Sequence, residues 1–135
     1  MKNLLIIASV IMLIACSKSN NCTSVQYEEV FVVQTDNTYC FSDGNELMID
    51  SLVNAFCPCY VACIWEGEAE VHMTWNINGE AYRFVHHSSD NIEDETDAIP
   101  LDFIIESDNV VFEVPCDNNN PSPAIVAMDF TVTTN

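Results

Sequence analysis

Strict alternation of apolar and polar residues between positions 68 and 77 constrains the fold more than any other feature of this sequence. Every second position is apolar, namely Ala69, Val71, Met73, Trp75 and Ile77. A period of two is typical of a β-strand with one buried face. Asn78-Gly79 follows at once, and this dipeptide is preferred in two-residue hairpin turns. The sequence therefore predicts an antiparallel hairpin whose second strand covers residues 80–86.

Other segments on both sides of this hairpin are also rich in β-forming residues. Strands are predicted over residues 25–34 and 46–53, and two more over 101–106 and 110–114 are separated by a turn at 107–109. The last element places four apolar residues on one face: Val126, Met128, Phe130 and Val132. A long loop is expected from Ser88 to Pro100. Seven or eight short strands without an amphipathic helix predict an all-β domain, an antiparallel β-sandwich of immunoglobulin-like or related type.

A short hydrophobic leader ends in Leu13-Ile14-Ala15-Cys16, which matches a bacterial lipobox. The apolar run is too short to span a bilayer as a permanent helix. We expect cleavage before Cys16 and acylation of its thiol, for example with palmitate, so that lipid anchors the chain to a membrane outside the cytoplasm. An ordinary secretory signal is the alternative. The predicted organisation is a signal peptide over 1–15, a lipidated cysteine and tether over 16–24, and a β-sandwich over 25–135.

The chain is strongly acidic, with a formal net charge of −18. Loss of the leader removes Lys2, which leaves Lys18 and Arg83 against 21 acidic residues and a net charge of −19. Such a field repels nucleic acid and anionic lipid head groups, which excludes both as direct partners. It attracts divalent cations or a basic partner protein. Because the acidic residues are scattered, we favour the simpler interpretation that they serve solubility in a salty environment.

Seven cysteines fit an exported protein. With Cys16 assigned to the lipid, six candidates for disulfides remain: Cys22, Cys40, Cys57, Cys59, Cys63 and Cys116. The even number predicts three disulfides, for which many pairings are formally possible. Cys57-Pro58-Cys59 is unfavourable for a bond between its own cysteines. Our working hypothesis is Cys57–Cys63, Cys22–Cys40 and Cys59–Cys116, and other pairings stay open.

Residues 57–69 resemble a signature of small exported bacterial proteins that are often lipid-anchored. In that family Asp-Ser-Arg-Cys-Pro is followed by Cys-(Ile/Val)-Trp-x-Gly-x-Ala, matched here by Cys57-Pro58, Cys63-Ile64-Trp65, Gly67 and Ala69. The chain departs from it at Asn54-Ala55-Phe56, in place of Asp-Ser-Arg, and by the additional Cys59. The resemblance implies a β-sandwich-like domain at the outer membrane, in a family without an assigned activity. Whether the domain faces the periplasm or the cell surface stays open.

The cysteine cluster at 57–63 has a structural and a chemical interpretation. A Cys57–Cys63 bond would clamp the connection that enters the strand at Glu68, with Trp65 covering the bridge and Gly67 allowing a bend. The alternative is thiol-redox chemistry with Cys57, Cys59 and Cys63. A reactive thiolate needs positive charge nearby, whereas the neighbouring residues are Glu66, Glu68 and Glu70. We therefore favour structural disulfides.

Metal binding has one weak candidate region, the acidic segment that follows the central hairpin. Its possible oxygen ligands for calcium are Asp90, Glu93, Asp94, Glu95 and Asp97. The segment lacks the spacing and glycine of an EF-hand, so we expect a solvated loop that collects counterions without a defined site, and no required cofactor. Adjacent His86 and His87 point to opposite faces of a strand, and His72 lies on the polar face. None of the three is predicted to be a ligand.

No motif of a known enzyme class is present, including Gly-x-Ser-x-Gly, His-Glu-x-x-His and phosphate-binding glycine loops. Two function classes follow. The first is a non-catalytic, lipid-anchored module of the cell envelope that binds a protein, a glycan or a cation. The second is a small envelope enzyme or thiol-redox protein that uses the cysteine cluster. The sequence favours the first.

Overall fold

The computed structural model describes residues 21–64, 66–89, 95–96 and 103–134. Their nine strands are β1 Cys22–Ser24, β2 Phe31–Val33, β3 Thr38–Cys40, β4 Glu46–Asn54, β5 Ala69–Ile77, β6 Glu80–His87, β7 Glu95–Thr96, β8 Phe103–Phe112 and β9 Ile125–Thr134. These residues contain no helix, and so none long and apolar enough to cross a membrane. The predicted signal peptide, Cys16 and Trp65 lie outside the described residues.

Two sheets face each other, which confirms the predicted β-sandwich. The larger sheet has the order β1-β3-β4-β5-β6-β7 and the smaller one the order β2-β9-β8. All neighbouring strands are antiparallel except β1 and β3, which are parallel. Strand β1 comes from the end of the segment that we assigned to the tether, so residues 22–24 belong to the larger sheet.

The central hairpin forms in the predicted register. Strand β5 alternates between buried and half-buried residues along its whole length, and its five apolar positions are at most 2% exposed. Asn78 and Gly79 both adopt positive φ, of 53° and 87°, as a two-residue turn with the twist of a hairpin requires. Ile77 therefore faces Glu80 and the pairing continues to Glu70 opposite His87.

Aromatic side chains join the two sheets. The Trp75 ring on β5 is fully buried and stacks on Phe103 of β8 at 4.2 Å between ring centroids. The Trp75 ring also stacks on two aromatic rings from its own side of the sandwich. The centroid distances are 5.6 Å to Phe41 and 6.3 Å to Phe84. Large stacked aromatic surfaces contribute strongly to core stability. Trp75 is thus the centre of the core.

The predicted turn at residues 107–109 is wrong. Strand β8 runs without a break from Phe103 to Phe112 because β9 pairs with it on both sides of this segment. The register shifts between Asp108 and Val111, and Asn109 has φ of 49°, which describes a β-bulge rather than a chain reversal. Polar residues that favour turns also favour bulges. Pairing with β9 on both sides of the segment is what makes these residues a bulge.

The same irregularity changes the face of Val126. A second register shift follows between Val111 and Phe112, whose partners on β9 are Ala127 and Ile125. Val126 therefore is the extra residue on β9 and is 40% exposed, whereas Met128, Phe130 and Val132 are fully buried as predicted. The predicted four-residue apolar face is correct for three of its members.

Two other predicted segments differ from the structure in extent. Of residues 25–34 only Phe31–Val33 form a strand, since the chain turns beforehand at Glu28, which has φ of 64°. Within the expected loop from Ser88 to Pro100, Glu95–Thr96 form the short strand β7 at the edge of the larger sheet. The strand over 46–53 is confirmed as β4.

A polar network lies beside the aromatic core. The Tyr27 hydroxyl donates to Asp43 Oδ2 at 2.7 Å, and Asn45 Nδ2 donates to the Tyr27 oxygen at 3.3 Å. Burial, together with the negative charge of Asp43, raises the pKa of Tyr27 to about 12. The phenol therefore stays protonated, and donates to Asp43, at all physiological pH values.

Candidate functional site

Three disulfides connect the six described cysteines, and they are Cys22–Cys40, Cys57–Cys63 and Cys59–Cys116. The pairing that we hypothesised is therefore confirmed. The Cα atoms of each pair are 5.7–6.1 Å apart, within the range that a disulfide spans. Two of the three bridges meet in the segment 57–64, which we call the cystine loop.

The cystine loop is held at its base by backbone hydrogen bonds. Cys57 N donates to Glu66 O at 2.8 Å, and Ala55 N donates to Glu68 O at 2.9 Å. Gly67 lies between these two bonds with φ of 80°, a conformation that favours glycine. The predicted bend at Gly67 thus brings the two ends of the loop together.

A second connection ties the cystine loop to the segment between β8 and β9. The Cys59–Cys116 bridge is reinforced by a hydrogen bond from Cys59 N to Pro121 O at 3.0 Å. Asp117 Oδ1 accepts from the backbone N–H groups of Asn119 and Asn120, each at 2.8 Å, and so stabilises the turn on the far side. The loop is thereby fixed to both sheets, because β8 and β9 belong to the smaller one.

The tip of the cystine loop exposes apolar side chains. Tyr60 is 74% exposed, Val61 56% and Ile64 fully exposed. Tyr60 also has φ of 64°, so the backbone turns sharply where the ring projects. Exposed apolar residues close in sequence, on a segment fixed by disulfides, make this loop a candidate for binding another molecule.

The histidines differ in what they contact. His86 is buried and lies between the sheets, where its Nε2 is 2.8 Å from Ser107 Oγ and its ring meets Phe130 edge-on. His87 points to the opposite face of the larger sheet, as the strand period requires. There its Nδ1 is 3.1 Å from Glu68 Oε1.

Glu68, Glu70 and His87 form a compact group, which we call the carboxylate–histidine cluster. Each residue offers one ligand atom, and these atoms all lie within 4.8 Å of one another. The side chains of Glu68 and His87 are 3% and 9% exposed, whereas that of Glu70 is 31% exposed. His72 lies at the margin, with its Nε2 3.6 Å from Glu70 Oε2.

The sequence analysis did not predict this cluster, although the hairpin register alone predicts one of its contacts. A two-residue turn at 78–79 fixes the register, and that register places Glu70 directly opposite His87. The burial of Glu68 had no such signal, because it lies before β5 in a segment whose path depends on Gly67 and the disulfides.

Most of the predicted acidic calcium candidates lie outside the described residues, namely Asp90, Glu93, Asp94 and Asp97. Glu95 belongs to β7, where it pairs with Val85. A different acidic groove of about 330 Å³ lies at the bulge of β8 and is lined by Glu106, Asp108 and Asp129 among others. Of these carboxylates, Asp108 and Asp129 accept hydrogen bonds from the backbone N–H and the side-chain amide of Asn109 at the bulge.

Comparison of the chain with known proteins gives no match: no family model matches its sequence, and no curated protein or solved structure is significantly similar to it. The function is therefore argued from the cystine loop, the cluster and the sequence of the leader.

Proposed function

We propose that this protein is a non-catalytic, lipid-anchored binding module of the bacterial cell envelope, and that the cystine loop contacts a partner protein. The observation that carries the proposal is the exposed apolar tip, Tyr60, Val61 and Ile64, on a loop that two disulfides fix. A loop held in one conformation before binding loses less entropy when the complex forms. Tyrosine is one of the residue types enriched in protein interfaces and among the residues that contribute most to their affinity.

Charge indicates the chemistry of the partner. The chain without its leader has a net charge of −19, and Glu66 and Asp117 are exposed close in sequence to the bridges of the cystine loop. Complementary charge increases association rates and suppresses wrong partners. The partner we propose therefore has an apolar pocket for the tip and a basic rim around it.

The disulfides also bear on the compartment and on the alternative function. Disulfides persist in oxidising compartments outside the cytoplasm, which supports export. All six described cysteines are paired in disulfides and the residues that follow the cystine loop are acidic, which supports structural bridges over the alternative of a thiol-redox protein. The lipobox at Leu13–Cys16 supports the lipid anchor, and the resemblance of residues 57–69 to exported lipoproteins supports the outer membrane.

The anchor is tested by the Cys16→Ala variant. We expect the wild-type protein in the membrane fraction, with an acylated N-terminal peptide that begins at Cys16 by mass spectrometry. The variant should lack the acyl group and keep residues 1–15, because both acylation and cleavage depend on Cys16. A variant that is still cleaved before position 16, or a wild-type protein without an acyl group, would contradict the anchor.

The binding surface is tested by photo-crosslinking in the anchored protein. A photoreactive residue at Val61 is expected to give one discrete adduct, whereas the same residue at Val32, 53% exposed on β2, should give none. Adding Tyr60→Ser and Ile64→Ser should reduce the Val61 adduct at least about tenfold, as for removal of interface anchors. The melting temperature of that variant should stay unchanged, because both side chains are exposed. Equal adducts from both positions, or an adduct insensitive to the substitutions, would refute this surface.

A further inference from the structure

The carboxylate–histidine cluster contains a buried carboxylate oxygen that the protein leaves unsatisfied. Glu68 is 3% exposed, and its Oε2 accepts no hydrogen bond. Its other oxygen, Oε1, lies 3.1 Å from His87 Nδ1. Buried charged groups are normally paired or coordinate a metal, since burial without a partner is costly. Its unpartnered oxygen is therefore available to a ligand.

The charge of the cluster points to a cation. Glu68 and Glu70 contribute two carboxylates, and Arg83 is the only lysine or arginine in the described part of the chain. Arg83 pairs with Thr74 on β5. Thr74 lies four residues from Glu70 along this strand, a distance of about 13 Å between the two positions at the usual rise per residue. Arg83 therefore does not neutralise the pair. His87 beside Glu68 and His72 beside Glu70 do so only when protonated, whereas a divalent cation supplies the positive charge with neutral imidazole.

The geometry fits a transition-metal ion. Two atoms that each lie about 2.1 Å from a metal are about 3.0 Å apart in octahedral and about 3.4 Å apart in tetrahedral coordination. The 3.1 Å between Glu68 Oε1 and His87 Nδ1 lies between these values, so an ion can replace the hydrogen bond of this pair, and the unpartnered Oε2 offers it a second oxygen of Glu68. Glu70 lies opposite His87 on the neighbouring strand, and its ligand atom is within 4.8 Å of those of Glu68 and His87.

We propose that Glu68, Glu70 and His87 bind one divalent transition-metal ion, with zinc as the probe. Imidazole together with carboxylate oxygens suits zinc and related ions, whereas calcium and magnesium prefer oxygen ligands alone. The site lies on the outer face of the larger sheet and does not depend on the function proposed for the cystine loop. Glu70 is its most accessible ligand and forms the side from which the ion enters.

The test is a zinc titration of the untagged full chain, purified in detergent without reductant and freed of metal by a chelator. Calorimetry should show saturable binding of one zinc ion per chain at micromolar concentrations, and zinc should raise the melting temperature. Calcium at the same concentrations should do neither. Glu70→Gln and His87→Gln should each weaken zinc binding at least about tenfold, since loss of even an outer-shell partner often costs that much.

The matched control is Glu106→Gln, which removes the same charge from an exposed carboxylate on β8. It should keep the zinc affinity of the wild-type protein within about twofold. Because Glu70 is half-exposed, its variant is expected to fold, and circular dichroism confirms this before titration. Absence of saturable zinc binding would overturn the site. Equal effects of Glu70→Gln and Glu106→Gln would overturn it too, because zinc would then follow overall charge.

Discussion

Replacement of Cys59 and Cys116 by serine is expected to lower the free energy of unfolding by about 4 kcal/mol. This bridge joins residues 57 positions apart, so it restricts the unfolded chain more than the other two, whose separations are 18 and 6. In the chain-entropy model the stabilisation grows with the logarithm of the closed loop. Urea denaturation followed by circular dichroism measures the loss directly.

The matched control is the double variant Cys57→Ser and Cys63→Ser. Its bridge closes a loop over only 6 positions, for which the same model gives about 2 kcal/mol. Both bridges meet in the cystine loop, so local disturbance of that loop affects both variants. Equal losses for the two, or a larger loss without Cys57–Cys63, would show that loop closure in the unfolded state is not what this bridge contributes.

The parts of the fold that sequence predicts are those decided by neighbouring residues. Alternation along β5 and the Asn78-Gly79 turn determine the hairpin and its register without help from distant residues. The even number of cysteines predicted three disulfides, but the sequence left their pairing open. The hypothesised pairing is confirmed only by the fold, which brings Cys59 next to Cys116 across a separation of 57 positions.

The parts that sequence did not predict depend on contacts between distant segments. Residues 107–109 have the composition of a turn, but pairing with β9 on both sides keeps β8 extended and converts them into a bulge. Ile64 is likewise fully exposed although isoleucine is usually buried. We attribute this exposure to the bridges that fix the cystine loop at the surface. The burial of Glu68 depends in the same way on how the chain bends at Gly67.

Gly67→Ala is the second substitution expected to have a large effect, because it removes the bend that connects the cystine loop to β5. A β-carbon at this position would collide with backbone atoms: the Ala55 carbonyl oxygen, Phe56 Cα at 2.5 Å and Cys57 N at 2.8 Å. Backbone atoms cannot swing aside as a flexible side chain can. The two backbone segments that meet here, residues 55–57 and 66–68, must therefore separate, with loss of the hydrogen bonds from Cys57 N to Glu66 O and from Ala55 N to Glu68 O.

The expected loss is about 3–4 kcal/mol, from about 1–2 kcal/mol of left-handed strain and about 1 kcal/mol for each hydrogen bond. Gly79→Ala is the matched control, since Gly79 has φ of 87° but nothing within 4 Å of an added β-carbon. It should lose only the strain, about 1–2 kcal/mol, in the same urea denaturation experiment. Similar losses for the two variants would mean that the close approach at Gly67 relaxes freely. The bend would then need only positive φ, and the exposed tip of the cystine loop would not be held by its base.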